Sequence, residues 1–316
     1  MVDCGPPKRV DPGCRGTFRC SEVPGVLMTE TRIATDLSIV IPTLGRACLR
    51  DSVRAIATGS MQPVEIVLSH QGLAGSMDAM LREFSQYNVR IRYLRSDQRG
   101  AAAGRNAGIR SVTSKFFGTT DDDCIADFRW VEEIALALGR YPRDIITGRV
   151  LASEPGAPSV TTFDTPRVYK KFPLQGGHFS GGNFAAALTL FNDVGPFDES
   201  VLLRFCEDPE WSYRAMVKGY PIRYVPQVSV THLHWRDDAD MTQVYSQYAY
   251  SQGGWIGRKF RAGDLSFAAM LLYELARGSK RWFLGTLRHD KLRIVNGRAF
   301  VIDLLRGVSA GWNGQE

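Results

Sequence analysis

Three consecutive carboxylates, Asp121, Asp122 and Asp123, follow the aromatic and β-branched run Phe116-Phe117-Gly118-Thr119-Thr120 with no basic residue among them. Like charges this close repel. At the carboxyl end of a buried strand they lie over a sheet edge, so a positive partner is expected. A hard divalent cation, Mg²⁺ or Mn²⁺, fits that demand, because it takes one or two carboxylates together with substrate phosphates. The same residues also read as a polar turn before a helix beginning near Phe128, with one Asp capping it. A second acidic pair, Glu207-Asp208, stands before Pro209. Asp followed by Pro is a helix N-cap with proline at the first helical position. Asp208 also suits a general base, its pKa raised by Glu207 and lowered by the helix terminus. His232 and His234, two apart on an expected strand, point the same way, as metal ligands or as structural side chains.

The elements that must position these groups alternate regularly. Leu37 to Pro42 reads as a strand, and Leu49, Val53 and Ile56 form one apolar helix face after the turn Thr43-Leu44-Gly45-Arg46. Val64 to Ser69 is almost continuously apolar, as in a strand covered on both faces. A helix bearing Met77, Met80, Leu81 and Phe84, an alternating strand from Val89 to Tyr93 and a small-residue helix from Ala101 to Val112 lead to the strand that ends in the acidic triplet. This βαβ series predicts an open, mostly parallel sheet whose ligands bind beyond the carboxyl ends of the strands, where the loops after Ile41, Ser69 and Thr120 converge. The triplet falls on that edge. A helix from Trp130 and a strand over Ile145 to Leu151 follow, then loop-like residues 152–178, the pair Gly181-Gly182 at a strand start, and strand pieces from Pro221 to Thr231. Beyond Asp240 three helices are expected: Met241 to Phe260, Leu265 to Gly278 and Lys280 to Arg306. Basic residues there stand beside Trp282, Phe283, Leu284 and Leu287, which suits either an anionic membrane surface or a helical cap on the sheet.

The 316 residues are 44% apolar, enough for a substantial core, with a formal net charge of +6 concentrated in the last third. Such a basic tail suits phosphate-bearing or membrane-surface partners; nucleic acid has only the net charge in its favour and is not expected. No apolar run is long enough to span a bilayer and no signal-peptide core is present, so the expected location is cytoplasmic. Cys48, Cys124 and Cys206 read as reduced thiols; Cys4, Cys14 and Cys20 fit no common zinc spacing. The expected organisation is a disordered extension over 1–35, a sheet domain over 36–235 and a basic helical region over 236–316.

In this order, the motifs from Leu37 to His232 resemble the family 2 inverting glycosyltransferases. That resemblance implies a GT-A, Rossmann-like α/β fold, a mostly parallel mixed sheet flanked by helices, here followed by a C-terminal helical extension. It implies that Pro42, Thr43 and Arg46 form the nucleotide loop, that Gly104-Arg105-Asn106-Ala107-Gly108 places Arg105 at the donor phosphates, and that Asp121 and Asp122 belong to the nucleotide side of a D-x-D element. Asp123 and His232 would hold Mn²⁺ or Mg²⁺. Gly181, Gly182 and Asn183 would face the acceptor with Glu207 and Trp211, and Asp208 would be the catalytic base. Where the family commonly carries an acidic base-reading residue, this chain has Ser69-His70-Gln71-Gly72, so His70 takes that place. The implied donor is a nucleotide-diphospho-sugar, with uracil favoured over thymine and guanine, and the acceptor a glycan or polyprenyl-linked hydroxyl; the basic helical tail, by its own composition, leaves peripheral membrane association open. A noncatalytic nucleotide-sugar binder and a sugar nucleotidyltransferase are the alternatives; the first loop lacks the lysine that the latter would want.

Overall fold

The computed structural model describes residues 32–154, 161–174, 178–233 and 238–315. The opening cysteines and His234 lie outside the described residues. The first half runs β1 (Arg32–Thr43), α1 (Leu49–Ala57), β2 (Met61–His70), α2 (Asp78–Phe84), β3 (Ile91–Arg95), α3 (Ala101–Ser111), β4 (Phe116–Thr120), β5 (Cys124–Ala126), α4 (Trp130–Arg140) and β6 (Ile145–Ala152). The second half runs β7 (Arg167–Tyr169), β8 (Asn183–Ala187), α5 (Leu188–Val194), α6 (Glu207–Val217), β9 (Ile222–His232), α7 (Asp238–Arg261), α8 (Ala268–Leu287) and α9 (Lys291–Trp312). β1 begins at Arg32, ahead of the expected domain boundary.

The strands form one sheet in the order β3-β2-β1-β4-β8-β6-β9-β5, with β7 on β9. β3, β2, β1 and β4 are parallel, as the βαβ series predicts; β8 reverses direction between β4 and β6. The sheet is therefore mixed, its parallel half carrying the first loops and the triplet. The expected apolar faces are buried: Leu49, Val53 and Ile56 on α1, Met80 and Phe84 on α2, and Trp130, Ile134 and Leu138 on α4. Fully burying each such side chain contributes about 1.5–3 kcal/mol. Phe117, Phe184, Phe191, Phe197 and Trp211 add an aromatic cluster between the sheet and α6.

Two details differ from the sequence reading. Cys124–Ala126, given no element in the sequence reading, is a short strand antiparallel to β9, with Cys124 opposite His232. This far-edge pairing carries no local hydrophobic signal. The helix break expected at Gly278 is absent. Gly278 lies inside α8 against α9, where an added Cβ would meet Phe300 and Val301 at 2.8 Å, so the glycine serves close helix packing rather than termination. The chain instead turns at His289, whose φ is +54°, and Asp290 caps α9 by accepting a hydrogen bond from the Arg293 amide. The helices α7 to α9 have their own apolar core around Trp255, Ile256, Phe267, Met270 and Leu304, and Phe172 packs against both cores.

Candidate active site

A cleft of about 950 Å³ opens beyond the carboxyl ends of the parallel strands, as the topology predicts. Its floor carries the acidic triplet from the end of β4, and each Asp has a different environment. Asp122 is buried, accepting from Thr43 Oγ1 at 2.6 Å and from Arg46. Burial pushes its pKa up, while Arg46 and Thr43 hold it down. Asp122 thus ties the first loop to the triplet. Asp123 Oδ2 lies 3.1 Å from Arg46 Nη2, and its Oδ1 lies 3.7 Å from His232 Nε2. The β5–β9 pairing makes that approach, and the Leu233 amide also donates to the Asp123 carbonyl at 2.8 Å. Asp121 is held from the other side by Arg105, Nη2 to Oδ1 at 2.9 Å.

Arg105 is the centre of the site. Its guanidinium is buried and reaches across the cleft, with Nη2 on Asp121 and Nη1 at 3.1 Å from Glu207 and 3.2 Å from Asp208. One arginine from α3 therefore joins the triplet to the acidic pair at the start of α6, which lies 102 residues further along the chain. Both terminal nitrogens of Arg105 are thus engaged by carboxylates. Next to it, Asn106 pins the turn at 195–199 to α3, donating to the Phe197 carbonyl and Glu199 and accepting from the Phe197 amide.

Asp208 lies in the first turn of α6, after Glu207 and the N-cap Cys206. The expected N-cap role is corrected, since the helix starts one residue before Asp208. Its Oδ2 accepts instead from the Gly181 amide at 2.7 Å. Burial raises the pKa of both acids, and for Glu207 the neighbouring Asp208 adds to the rise. The side chain of Asp208 is 27% exposed at the cleft and that of Glu207 9%. Asp208, more open and bonded to a backbone N–H, is the better placed of the two to ionise.

Other expected ligand contacts change place. A Cβ on Gly181 would lie 2.3 Å from Asp208 Oδ1, and one on Gly182 2.5 Å from Asp121 Oδ2. The two glycines thus make room for carboxylates from opposite walls rather than presenting only a bare backbone to an acceptor. Asn183 points away into the core, accepting from Trp130 Nε1 and donating to the carbonyls of Arg149 and Val228. Trp211 is fully buried, its Nε1 on the Gly195 carbonyl, and cannot touch an acceptor. His70 is also buried, beside Tyr93 and Ser76, where burial pulls its pKa down. Strand alternation turns His70 inward, and Gln71 lines the cleft in its place, held by the carbonyls of Gln98 and Gly100. The opposite wall escaped the sequence reading: Tyr248 and Gln252 of α7 and Tyr273, Glu274 and Arg277 of α8 line the same cleft. Their spacing, three or four residues apart, marks one face of each helix.

Among the described residues, Asp123, Cys124 and His232 place ligand atoms within 4.8 Å of one another. The carboxylate and imidazole suit Mn²⁺ or Mg²⁺ alongside phosphate oxygens. Burial and the neighbouring carboxylates push the Cys124 thiol well above its ordinary range, and thiolate is a softer ligand than these hard cations prefer.

Residues 38–191 match glycosyl transferase family 2. The chain carries a family 2 glycosyltransferase domain. The match contains the loop after β1, Arg105, the triplet and the glycine pair, and ends before Glu207 and Asp208. Over 113 residues the chain is 25% identical to the glycosyltransferase GlyA of Streptococcus pneumoniae, covering 35% of this chain and 16% of that protein. Among solved structures, S. aureus TarS 1–349 in complex with UDP-GlcNAc superposes with a TM-score of 0.52 at 15% identity, covering 89% of this chain and 93% of that one. A longer TarS structure matches at 14% identity and a TM-score of 0.52, over 87% of this chain and 55% of its own. GalNAc-T7 with UDP, GalNAc and Mn²⁺ matches at 18% identity with a TM-score of 0.50, over 63% of this chain and 43% of that one. These likenesses establish the fold of the family 2 domain as the α/β sheet architecture expected from the motif order.

Proposed function

We propose that the protein is an inverting glycosyltransferase that moves a sugar from a nucleotide-diphosphate donor to an acceptor hydroxyl. The observation that carries this reading is the bridge of Arg105 between Asp121 and Asp208, which sets a donor-side acid and a base candidate on facing walls of one cleft. The donor nucleotide enters over Pro42, Thr43 and Gln71. UDP is the favoured nucleotide, consistent with the UDP-bound TarS structures. Asp208 takes the acceptor proton as the acceptor oxygen bonds to the anomeric carbon; the carbon–phosphate-oxygen bond breaks on the opposite face, and the nucleoside diphosphate leaves with the electron pair. Arg105, paired with both acids, offsets the repulsion between Glu207 and Asp208 and holds Asp208 toward the cleft. Asp123 and His232 would hold a divalent cation, which when bound neutralises charge on the departing diphosphate. The acceptor is the hydroxyl of a glycan or a polyprenyl-linked glycan, bound between the base and the wall of α7 and α8.

Thermal unfolding tests the donor half. UDP with Mn²⁺ is expected to raise Tm, by about 2.7 kcal/mol of stabilisation at a hundred times Kd. The shift should exceed those with dTDP or GDP and vanish in Asp123→Ala. No shift with any nucleotide would leave the triplet a structural turn and remove the donor site.

A second expectation follows from the glycine pair. Gly181→Ala forces its methyl against the Asp208 carboxylate and should lower kcat about 100-fold, the scale of a misplacement of roughly 1 Å. Donor affinity should hardly change, since Asp123 and the nucleotide loop are untouched. Gly139→Ala, where an added Cβ meets nothing within 4 Å, is the control. Equal kcat in Gly181→Ala and wild type would show that the position of Asp208 does not govern the rate.

A further inference from the structure

The last two helices form a hairpin whose tip is both apolar and basic. Trp282, Phe283 and Leu287 at the end of α8, with Leu292 and Val295 at the start of α9, are between 42% and 63% exposed. The segment 280–298 also carries six basic residues, Lys280, Arg281, Arg288, Lys291, Arg293 and Arg298, against one carboxylate, Asp290, which is already used as the cap of α9. The tip is a fixed platform. A Cβ on Gly285 would come within 2.8 Å of the Ile294 amide nitrogen, and one on Gly297 within 2.5 Å of that of Trp282, so the two backbones are in contact there. No helix among the described residues is long and apolar enough to cross a membrane.

We propose that this hairpin tip docks on the surface of an anionic lipid bilayer, the aromatic and aliphatic side chains entering the headgroup boundary and the cations meeting lipid phosphates. Large apolar side chains ringed by Lys and Arg are the composition of an interfacial helix surface. A second copy of the chain is disfavoured as the occupant, because a two-fold contact would set the same six cations against each other. Nucleic acid would match the charge and leave the apolar residues exposed. The inference goes beyond the transfer reading and does not depend on it, yet the two meet in space. Glu274 and Arg277 on the same α8 line the cleft, and Leu287 lies about 20 Å further along the helix at 1.5 Å per residue. A docked tip would hold the α8 wall of the cleft close to the bilayer that carries a lipid-linked acceptor.

Co-sedimentation of the full chain with phosphatidylcholine vesicles, with and without phosphatidylglycerol, tests the surface. Wild type is expected to sediment with the anionic vesicles only. Phe283→Ser with Leu287→Ser should weaken that binding about tenfold or more. Arg288→Glu with Lys291→Glu should abolish the dependence on phosphatidylglycerol. Val201→Ser with Val217→Ser, two exposed apolar positions elsewhere, should bind as wild type does. Each variant is checked by thermal unfolding, and an unaltered UDP-induced shift separates loss of the lipid surface from loss of the donor site. Failure of wild type to bind anionic vesicles, or equal binding by the hairpin variants, would overturn the proposal. So would a solution oligomer that Phe283→Ser with Leu287→Ser dissociates, which would assign the tip to a second copy.

Discussion

Asp208→Asn is expected to lower the rate of sugar transfer by about 10²–10⁴-fold, the usual contribution of a positioned general base, while leaving the protein folded and able to bind donor. The replacement is nearly isosteric. Its carbonyl oxygen can keep the hydrogen bond from the Gly181 amide, while Arg105 remains paired with Asp121 and Glu207. The amide cannot accept a proton from an acceptor hydroxyl. Because Asp208 is inside the first turn rather than at the N-cap, the variant does not test helix capping, and a loss of activity reports on chemistry. The measurement pairs initial rates with a UDP thermal shift. A well-folded Asp208→Asn that turns over like wild type would remove Asp208 as the base and direct attention to Glu207, the other carboxylate on this wall. A noncatalytic sugar-nucleotide binder would show the donor shift and no transfer in either protein.

Arg105→Leu should be the most destabilising single change in the site, costing about 3–5 kcal/mol, because it strips a shared cation from three partly or fully buried carboxylates. The loss should also depend on pH, and its sign follows from proton binding. Glu207 in the wild type is pushed up to about 8, first by burial and then by Asp208, so the folded state binds more protons than the unfolded chain between the ordinary carboxylate range and that value. Stability from this group is complete below the unfolded pKa and falls as pH rises through the folded one. Without Arg105 the acidic pair loses its counter-charge and the pKa values of Glu207 and Asp208 rise further, which steepens the fall. Urea midpoints at pH 5 and pH 8 should therefore differ more in Arg105→Leu than in wild type, with the larger deficit at pH 8. A deficit that is the same at both values would mean that Arg105 acts through packing rather than through charge.

Much of the architecture was legible in local sequence. Leu49, Val53 and Ile56 define a helix face by spacing alone, and Val64 to Ser69 a covered strand by composition, because periodicity reports burial directly. From those elements the βαβ rule places the acidic triplet on the ligand edge before any coordinate is known. The reading stopped where a side chain's direction or a far partner decides the outcome. His70 and Gln71 are adjacent in a strand end, and a shift of one residue exchanges which faces the cleft. Trp211 suits an acceptor platform by type, yet it fills the space between Phe179, Phe184 and Phe197, which only packing reveals.

The sequence by itself determined the sheet class, the position of the triplet at a strand end and the residue types available for chemistry, since these follow from short-range periodicity and from charge placed beside apolar runs. The tertiary structure alone decided that Arg105 belongs to Asp208 as much as to Asp121, that the glycine pair seats two carboxylates, and that α7 and α8 wall the cleft. Each is a contact between segments tens of residues apart. No local pattern encodes such contacts, because they are fixed by the way the sheet and the helical core pack together.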